Sequence, residues 1–418
     1  MEQIKNFFFV NTNTKQTVIK NTVWLFFGEV IGRLFKMILV IYAARTLGLT
    51  GWGLFSYILA FASLFISFTD VGLNTLATKE LSTDNDYKTS YFSTAFYLKF
   101  SLLIFASLLT FVLIHLGKIK VDGWLVFFVL LFLVFDSLRE FFMSFHRSLE
   151  KMEREAVLKI IAYASVGILG ILFLFLYKNV FFLAVGYSIG AFIGLLFSIF
   201  SLAEYRREIF FNFSKKLALI IFVAALPITI NFAVNTTAFN VDTLILGYFK
   251  GVQQVGLYSS AQRIILFLYV IPAFLSISLL PTLVRSAKED IQKFKNLLKK
   301  YAKFYSGLAI VVAVLGMFFS RTIIILIYGK DYIGSIDALR ILFISLIPTF
   351  LNFLIIYGSI AANKQRKLLI ANICALVFNL VFNIIFVPKF GIIGSSVTTT
   401  LALCLLVTLS WKRVLSSI

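Results

Sequence analysis

Charge is scarce in this chain. Asp, Glu, Lys and Arg make up 14% of its 418 residues, where a soluble domain carries about a quarter. Acidic residues are scarcer still, 19 against 39 Lys and Arg. There are two cysteines, Cys374 and Cys404, both inside apolar runs, and they give no sign of a disulfide framework. The two histidines, His115 and His146, lack ligand-spaced partners, so no zinc-site pattern is present. P-loop and H-E-x-x-H signatures are absent. The triplet Asp84-Asn85-Asp86 has the D-x-D form of metal-dependent glycosyltransferases, but it sits in a loop of about ten residues with no nucleotide-binding domain around it. A cleavable leader pattern is also missing, because the first apolar run is full length with no small-residue cleavage site after it.

What remains is apolar. Hydrophobic residues make up 60% of the chain and the mean hydropathy is +0.95. These values predict an all-α polytopic membrane protein. Segments near 18–43, 51–78, 89–116, 123–146, 155–177, 180–203, 217–247, 253–283, 304–328, 336–362, 367–388 and 391–413 are each long enough to span a bilayer. Lys and Arg fall in alternate loops with a roughly threefold excess, which places both termini in the cytoplasm. The formal charge of +20 therefore reads as basic loops facing anionic lipid, not as a nucleic-acid surface. The stretch Arg285–Lys303 carries an apolar stripe (Ile291, Phe294, Leu297, Leu298, Tyr301) opposite lysines, and reads as an amphipathic helix lying on the membrane.

A short repeat divides the chain. Leu47-Gly48 followed by Gly53-Leu54-Phe55-Ser56 recurs as Leu246-Gly247 followed, after extra residues, by Gly256-Leu257-Tyr258-Ser259. The expected domains are an N-terminal lobe (1–203), a basic linker (204–216) and a C-terminal lobe (217–418), two pseudo-symmetric six-helix lobes around a central cavity.

Charges at membrane depth are costly and mark candidate sites. Glu29, Arg33 and Lys36 share one face of the first segment, opposite Phe27, Val30, Leu34, Ile38 and Ile41. Lys99, Asp136 and Arg263 also lie near mid-depth. Arg33, Lys36 and Arg263 suit a phosphate-bearing ligand, since the guanidinium fork holds phosphate oxygens in pairs. The alternative is internal pairing with Glu29, Asp70 or Asp242. Asp136 and Glu140 are candidates for ion coupling, or are neutralised by Arg139 at i+3 and i−1. Asn231, Asn235 and Asp242, and Asn372, Asn379 and Asn383, form polar stripes that suit sugar hydroxyls or helix-helix contacts. Pro227 and Pro272 are candidate kinks.

Ala43–Leu81 (AARTLGLTGWGLFSYILAFASLFISFTDVGLNTLATKEL), Leu226–Ile264, with its D-x-L-(I/L)-L-G and V-G-x-Y-S elements, and Pro388–Ala402 (PKFGIIGSSVTTTLA) resemble polysaccharide-biosynthesis flippases of the Wzx type. These belong to the multidrug/oligosaccharidyl-lipid/polysaccharide exporter superfamily. The resemblance implies two six-helix lobes and no enzymatic activity or cofactor. It implies transfer of oligosaccharide repeat units on an undecaprenyl pyrophosphate carrier, as for O-antigen or capsule, from the inner to the outer leaflet of the cytoplasmic membrane. The mechanism would be alternating access, biased by a cation gradient or by consumption of the product outside. Expected partners are the lipid-linked cargo, membrane lipids, a polysaccharide polymerase and a chain-length regulator. The resemblance implies Arg33, Lys36 and Arg263 as substrate-binding residues, and Lys99 and Asn235 are added to them as candidates for their depth and polarity. Glu29, Asp70, Asp136, Glu140 and Asp242 are left for ion coupling or charge pairing. Alternatives are a multidrug/cation antiporter, which would want an acidic cavity, and a lipid II flippase, whose usual fourteen helices exceed the twelve read here.

Overall fold

The computed structural model describes residues 14–70, 72–81, 88–117, 119–203, 212–364 and 366–416. The described residues are helical almost throughout and contain no strand. The helices are α1 (Thr14–Asp70), α2 (Leu73–Leu81), α3 (Lys88–Leu116), α4 (Gly123–Ser148), α5 (Met152–Tyr177), α6 (Val180–Phe200), α7 (Lys215–Lys250), α8 (Val252–Leu268), α9 (Val270–Glu289), α10 (Ile291–Ile327), α11 (Ile336–Ile344), α12 (Leu346–Ala361) and α13 (Arg366–Ser416). A 3₁₀ turn at Lys330–Ser335 precedes α11.

Among the described residues, seven helices are long and apolar enough to cross a membrane, or nine if each of two bent pairs is one span. Two of the seven hold two spans each, because α1 and α13 turn at Gly48 (φ 64°) and Gly391 (φ 57°), a backbone that side chains with a Cβ resist. Helix α4 is long enough at 26 residues, but Asp136, Arg139 and Glu140 interrupt its apolar run. With those allowances the twelve expected spans are all present as helices. A 49° bend in α7 falls between Leu226 and Ile228, where the sequence has a proline, which lacks the N–H a helix uses. The break between α8 and α9 falls at Tyr269, just ahead of Pro272.

The chain divides into two compact units, Met1–Leu47 with Phe61–Ala233, and Gly48–Ala60 with Val234–Ile418. In the first, α5 and α6 meet through small residues four apart. Gly186, Gly190 and Gly194 of α6 lie against Gly170, Val166 and Ala162 of α5 so closely that an added Cβ at Gly190 would sit 2.5 Å from Val166. Small-residue contacts of this kind are how helices associate where no hydrophobic effect drives them together.

In the second unit the repeat appears in three dimensions. Gly48 and Gly251 both take positive φ (64° and 81°), each five residues before a glycine, Gly53 and Gly256. A Cβ at Gly53 would lie 1.8 Å from the Val252 carbonyl oxygen, and one at Gly256 would lie 2.3 Å from that of Leu49. Gln253 donates to the Thr50 hydroxyl at 3.4 Å, across 203 positions, the same offset that separates each glycine from its counterpart. The contact is reciprocal, as a local two-fold requires. The structural counterpart of Gly48 is thus Gly251, and not the Gly247 that the Leu-Gly match suggested.

One sequence expectation is corrected. The stripe at Ile291–Tyr301 does not form a separate helix on the membrane surface. It is the first part of α10, which is unbroken over 37 residues, roughly 55 Å at 1.5 Å per residue, against about 30 Å of hydrocarbon. Phe294 and Leu298 are buried, with Leu298 against Gly358 of α12. The stripe packs on protein through Phe294 and Leu298, while Ile291 at its start is exposed.

Candidate functional site

The first unit holds a chain of charges. Glu29 accepts from Arg33 Nε at 2.7 Å and, with its second oxygen, from Lys159 Nζ at 2.7 Å. Glu29 and Arg33 are each about one-third exposed, while Phe27, Leu34 and Ile38 turn outward. Lys36, one turn further on, is exposed and sits 4.4 Å over the Tyr163 ring, a cation–π contact. Tyr163 reaches helix α1 because Gly32 leaves the space: a Cβ there would lie 2.0 Å from its ring.

Arg139 lies on the same ring at 5.4 Å and is fully buried. It donates to Asp136 Oδ1 from Nε (3.2 Å) and from Nη2 (2.7 Å), and to Glu140 Oε1 at 2.9 Å. Glu140 also accepts from Arg147 at 3.0 Å, and Arg147 donates to Glu155 at 2.9 Å. Lys20 pairs with Glu153 at 3.0 Å. Lys99 is buried, donating to Asn74 Oδ1 at 3.1 Å with Phe141 beneath it at 5.6 Å. A charge withdrawn from water persists only where partners of this kind surround it.

The second unit holds a polar cavity of about 180 Å³, lined among others by Asn235, Asp242, Tyr258, Gln262, Asn372, Asn379 and Thr399. Asp242 is buried in its wall. Its Oδ2 accepts from Thr399 (2.7 Å) and Tyr258 (3.0 Å), and its Oδ1 from Asn383 Nδ2 (2.7 Å). That amide also reaches Asn379 Oδ1 at 2.6 Å, while Asn383 Oδ1 is buried and makes no hydrogen bond. Arg263 is half-buried, makes no ion pair with Asp242, and leaves its Nε without a hydrogen bond.

Within the first unit the structure joins Glu29 to Arg33 and Asp136 to Glu140 through Arg139. Lys36 meets this group only through the Tyr163 ring, which it shares with Arg139. Asn235 and Asp242 share one cavity in the second unit. The side chain of Asp70 and the triplet Asp84–Asp86 lie outside the described residues. No cluster of three metal-ligating side chains occurs among the described residues. Sequence reading passed over Lys159 and Tyr163. Their signal was present, since Glu155, Lys159 and Tyr163 recur every four residues on α5.

Residues 18–287 match the polysaccharide biosynthesis protein family, and residues 227–385 match the MatE family. A proposed O-antigen transporter of Shigella flexneri is 25% identical over 93% of this chain and 96% of its own length. The capsular polysaccharide biosynthesis protein CapF of Staphylococcus aureus is 20% identical over 92% and 96% respectively. Among solved structures, the lipid II flippase MurJ in an inward closed conformation superposes with a TM-score of 0.76 at 18% identity, covering 94% of this chain and 86% of that one. The described helices have the fold of that structure, and the Shigella relative is named as a transporter. The chain is a multi-pass membrane transporter and belongs to the polysaccharide biosynthesis protein family.

Proposed function

We propose that the protein flips undecaprenyl-pyrophosphate-linked oligosaccharide repeat units from the inner to the outer leaflet of the cytoplasmic membrane, by alternating access coupled to a cation. The observation that carries this reading is the contrast among its membrane-depth cations. Arg139 is spent on Asp136 and Glu140, whereas Lys36 rests on an aromatic face and Arg263 makes no ion pair among the described residues. Cations left without a carboxylate at that depth are stabilised by an anion that arrives. A pyrophosphate supplies it. Arg33 is a further such cation when Glu29 is held by Lys159 alone. Lys99 adds positive field, and Asn235 and its cavity neighbours offer amides to sugar hydroxyls. The names of the Shigella and Staphylococcus relatives support a polysaccharide precursor as cargo. In this reading both termini are cytoplasmic, and a polymerase and a chain-length regulator receive the product.

Coupling is assigned to Asp242, a buried carboxylate in a shell of hydroxyl and amide groups with a spare oxygen at Asn383. Such oxygens suit a proton or a small monovalent cation. Asp136 and Glu140 are assigned to charge pairing.

The test is binding of a short-chain polyprenyl pyrophosphate to protein in nanodiscs. Lys36→Ala and Arg263→Ala should each weaken it about tenfold, the value of one charge-assisted contact, with melting temperature unchanged. Binding that neither change affects would remove this reading. Preference for cationic dyes would favour an antiporter, and preference for lipid II a peptidoglycan precursor flippase.

A further inference from the structure

A second cavity, of about 680 Å³, opens in the second unit between α10, α12 and α13. Lys303 and Lys412 line it, followed along α10 by Ser306, Gly307 and Ile310 and along α13 by Trp411, Thr408 and Val407, with Leu351 contributed by α12. The two lysines bound apolar runs, Lys303 before the span of α10 and Lys412 after the last span of α13, so they mark the same membrane boundary. Both are exposed, and neither has a carboxylate within ion-pair distance among the described residues. Trp411 packs on the Ile355, Leu368 and Val407 cluster. Tryptophan is enriched at this depth because its ring spans the apolar and wet layers. The floor is open at Gly307, where an added Cβ meets nothing within 4 Å. Ile310, two turns in from Lys303, is 47% exposed to the groove and the surrounding medium.

We propose that this groove is a binding site for one anionic phospholipid of the bilayer. The phosphate and glycerol sit between Lys303 and Lys412, near the Ser306 hydroxyl, and an acyl chain runs down past Gly307 to Ile310 and Leu351. Charge complementarity selects this occupant over a zwitterionic lipid: two lysines at a lipid headgroup with no acidic neighbour attract net negative charge, each by an appreciable increment. A detergent-like apolar partner would leave the lysines unused, and a soluble anion would leave the apolar wall uncovered. The basic residues of the cytosolic part of α10 (Lys293, Lys295, Lys299 and Lys300) extend the positive field that gathers such lipids. The proposal is independent of the cargo reading, because none of these residues belongs to the cargo or coupling groups.

The test is native mass spectrometry of the full chain released from nanodiscs of equal phosphatidylglycerol and phosphatidylcholine. One retained phosphatidylglycerol, preferred about tenfold over phosphatidylcholine, is expected from two interfacial lysines. Lys303→Ala with Lys412→Ala should abolish the preference. Gly307→Leu, which fills the floor while keeping both charges, should remove the retained lipid altogether. Circular dichroism of each variant would verify folding. Equal retention of the two lipids, or retention untouched by Gly307→Leu, would overturn the site. Displacement of the phosphatidylglycerol by equimolar polyprenyl pyrophosphate would also overturn it, by making the groove a cargo site.

Discussion

Replacing Arg139 with methionine gives a quantitative test of the charge network. The guanidinium is fully buried, bonded to Asp136 at 2.7 and 3.2 Å and to Glu140 at 2.9 Å. Breaking a buried ion pair by removing one partner costs about 3–5 kcal/mol, mostly the penalty of the charge left behind. Two features reduce that here. Glu140 keeps Arg147 at 3.0 Å, and the Asp136 side chain is 30% exposed, so water takes up part of its charge. The expected loss is therefore near the lower end, about 3 kcal/mol, or roughly a hundredfold in the folding equilibrium. Unfolding in mixed micelles would measure it. The triple variant Arg139→Met, Asp136→Asn, Glu140→Gln should recover most of the loss, because no unpaired charge remains, and it should still transport. A single variant within about 0.5 kcal/mol of wild type would refute the account. So would a triple variant that folds but loses coupling, since Asp136 or Glu140 would then carry the ion.

Three further outcomes follow from the geometry. Gly53→Ala and Gly256→Ala should destabilise by similar amounts, roughly 3 kcal/mol, because each Cβ meets a backbone carbonyl of the opposing repeat; thermal unfolding in detergent would show any inequality. Tyr258→Phe should cost about 2 kcal/mol by taking a donor from a buried carboxylate, and its effect should fall sharply in an Asp242→Asn background, as a double-mutant cycle would report. Glu29→Gln should tighten binding of pyrophosphate by several-fold, since it releases Arg33, whereas Lys159→Met should weaken it by leaving Arg33 as the sole partner of Glu29; titration in nanodiscs distinguishes the two signs.

The spans were legible because apolar length is a one-dimensional property. So were the pairs within one helix turn: Glu29 with Arg33 and Asp136 with Arg139 are fixed by the 3.6-residue period. What escaped was pairing over distance. Asp242 meets Asn383 and Thr399 across 141 and 157 positions, and Lys159 reaches Glu29 from another helix. The stripe from Ile291 was misread for a different reason. An apolar face looks the same in sequence whether lipid or protein covers it, and only the burial of Phe294 and Leu298 decides. The repeat was found in the wrong register because a Leu-Gly pair is common, while the feature that repeats is a backbone angle.

The most direct test of the account is translocation in liposomes. Protein would be reconstituted with a short-chain polyprenyl pyrophosphate oligosaccharide in one leaflet, and arrival in the other leaflet read by a glycosidase or lectin added outside. The account predicts flipping by wild type that a cation or proton gradient accelerates, that Lys36→Ala and Arg263→Ala each slow about tenfold at subsaturating cargo, and that Asp242→Asn uncouples from the gradient while slow downhill transfer persists. Wild-type protein that folds, binds the lipid-linked sugar and leaves it in its original leaflet under every gradient would contradict it.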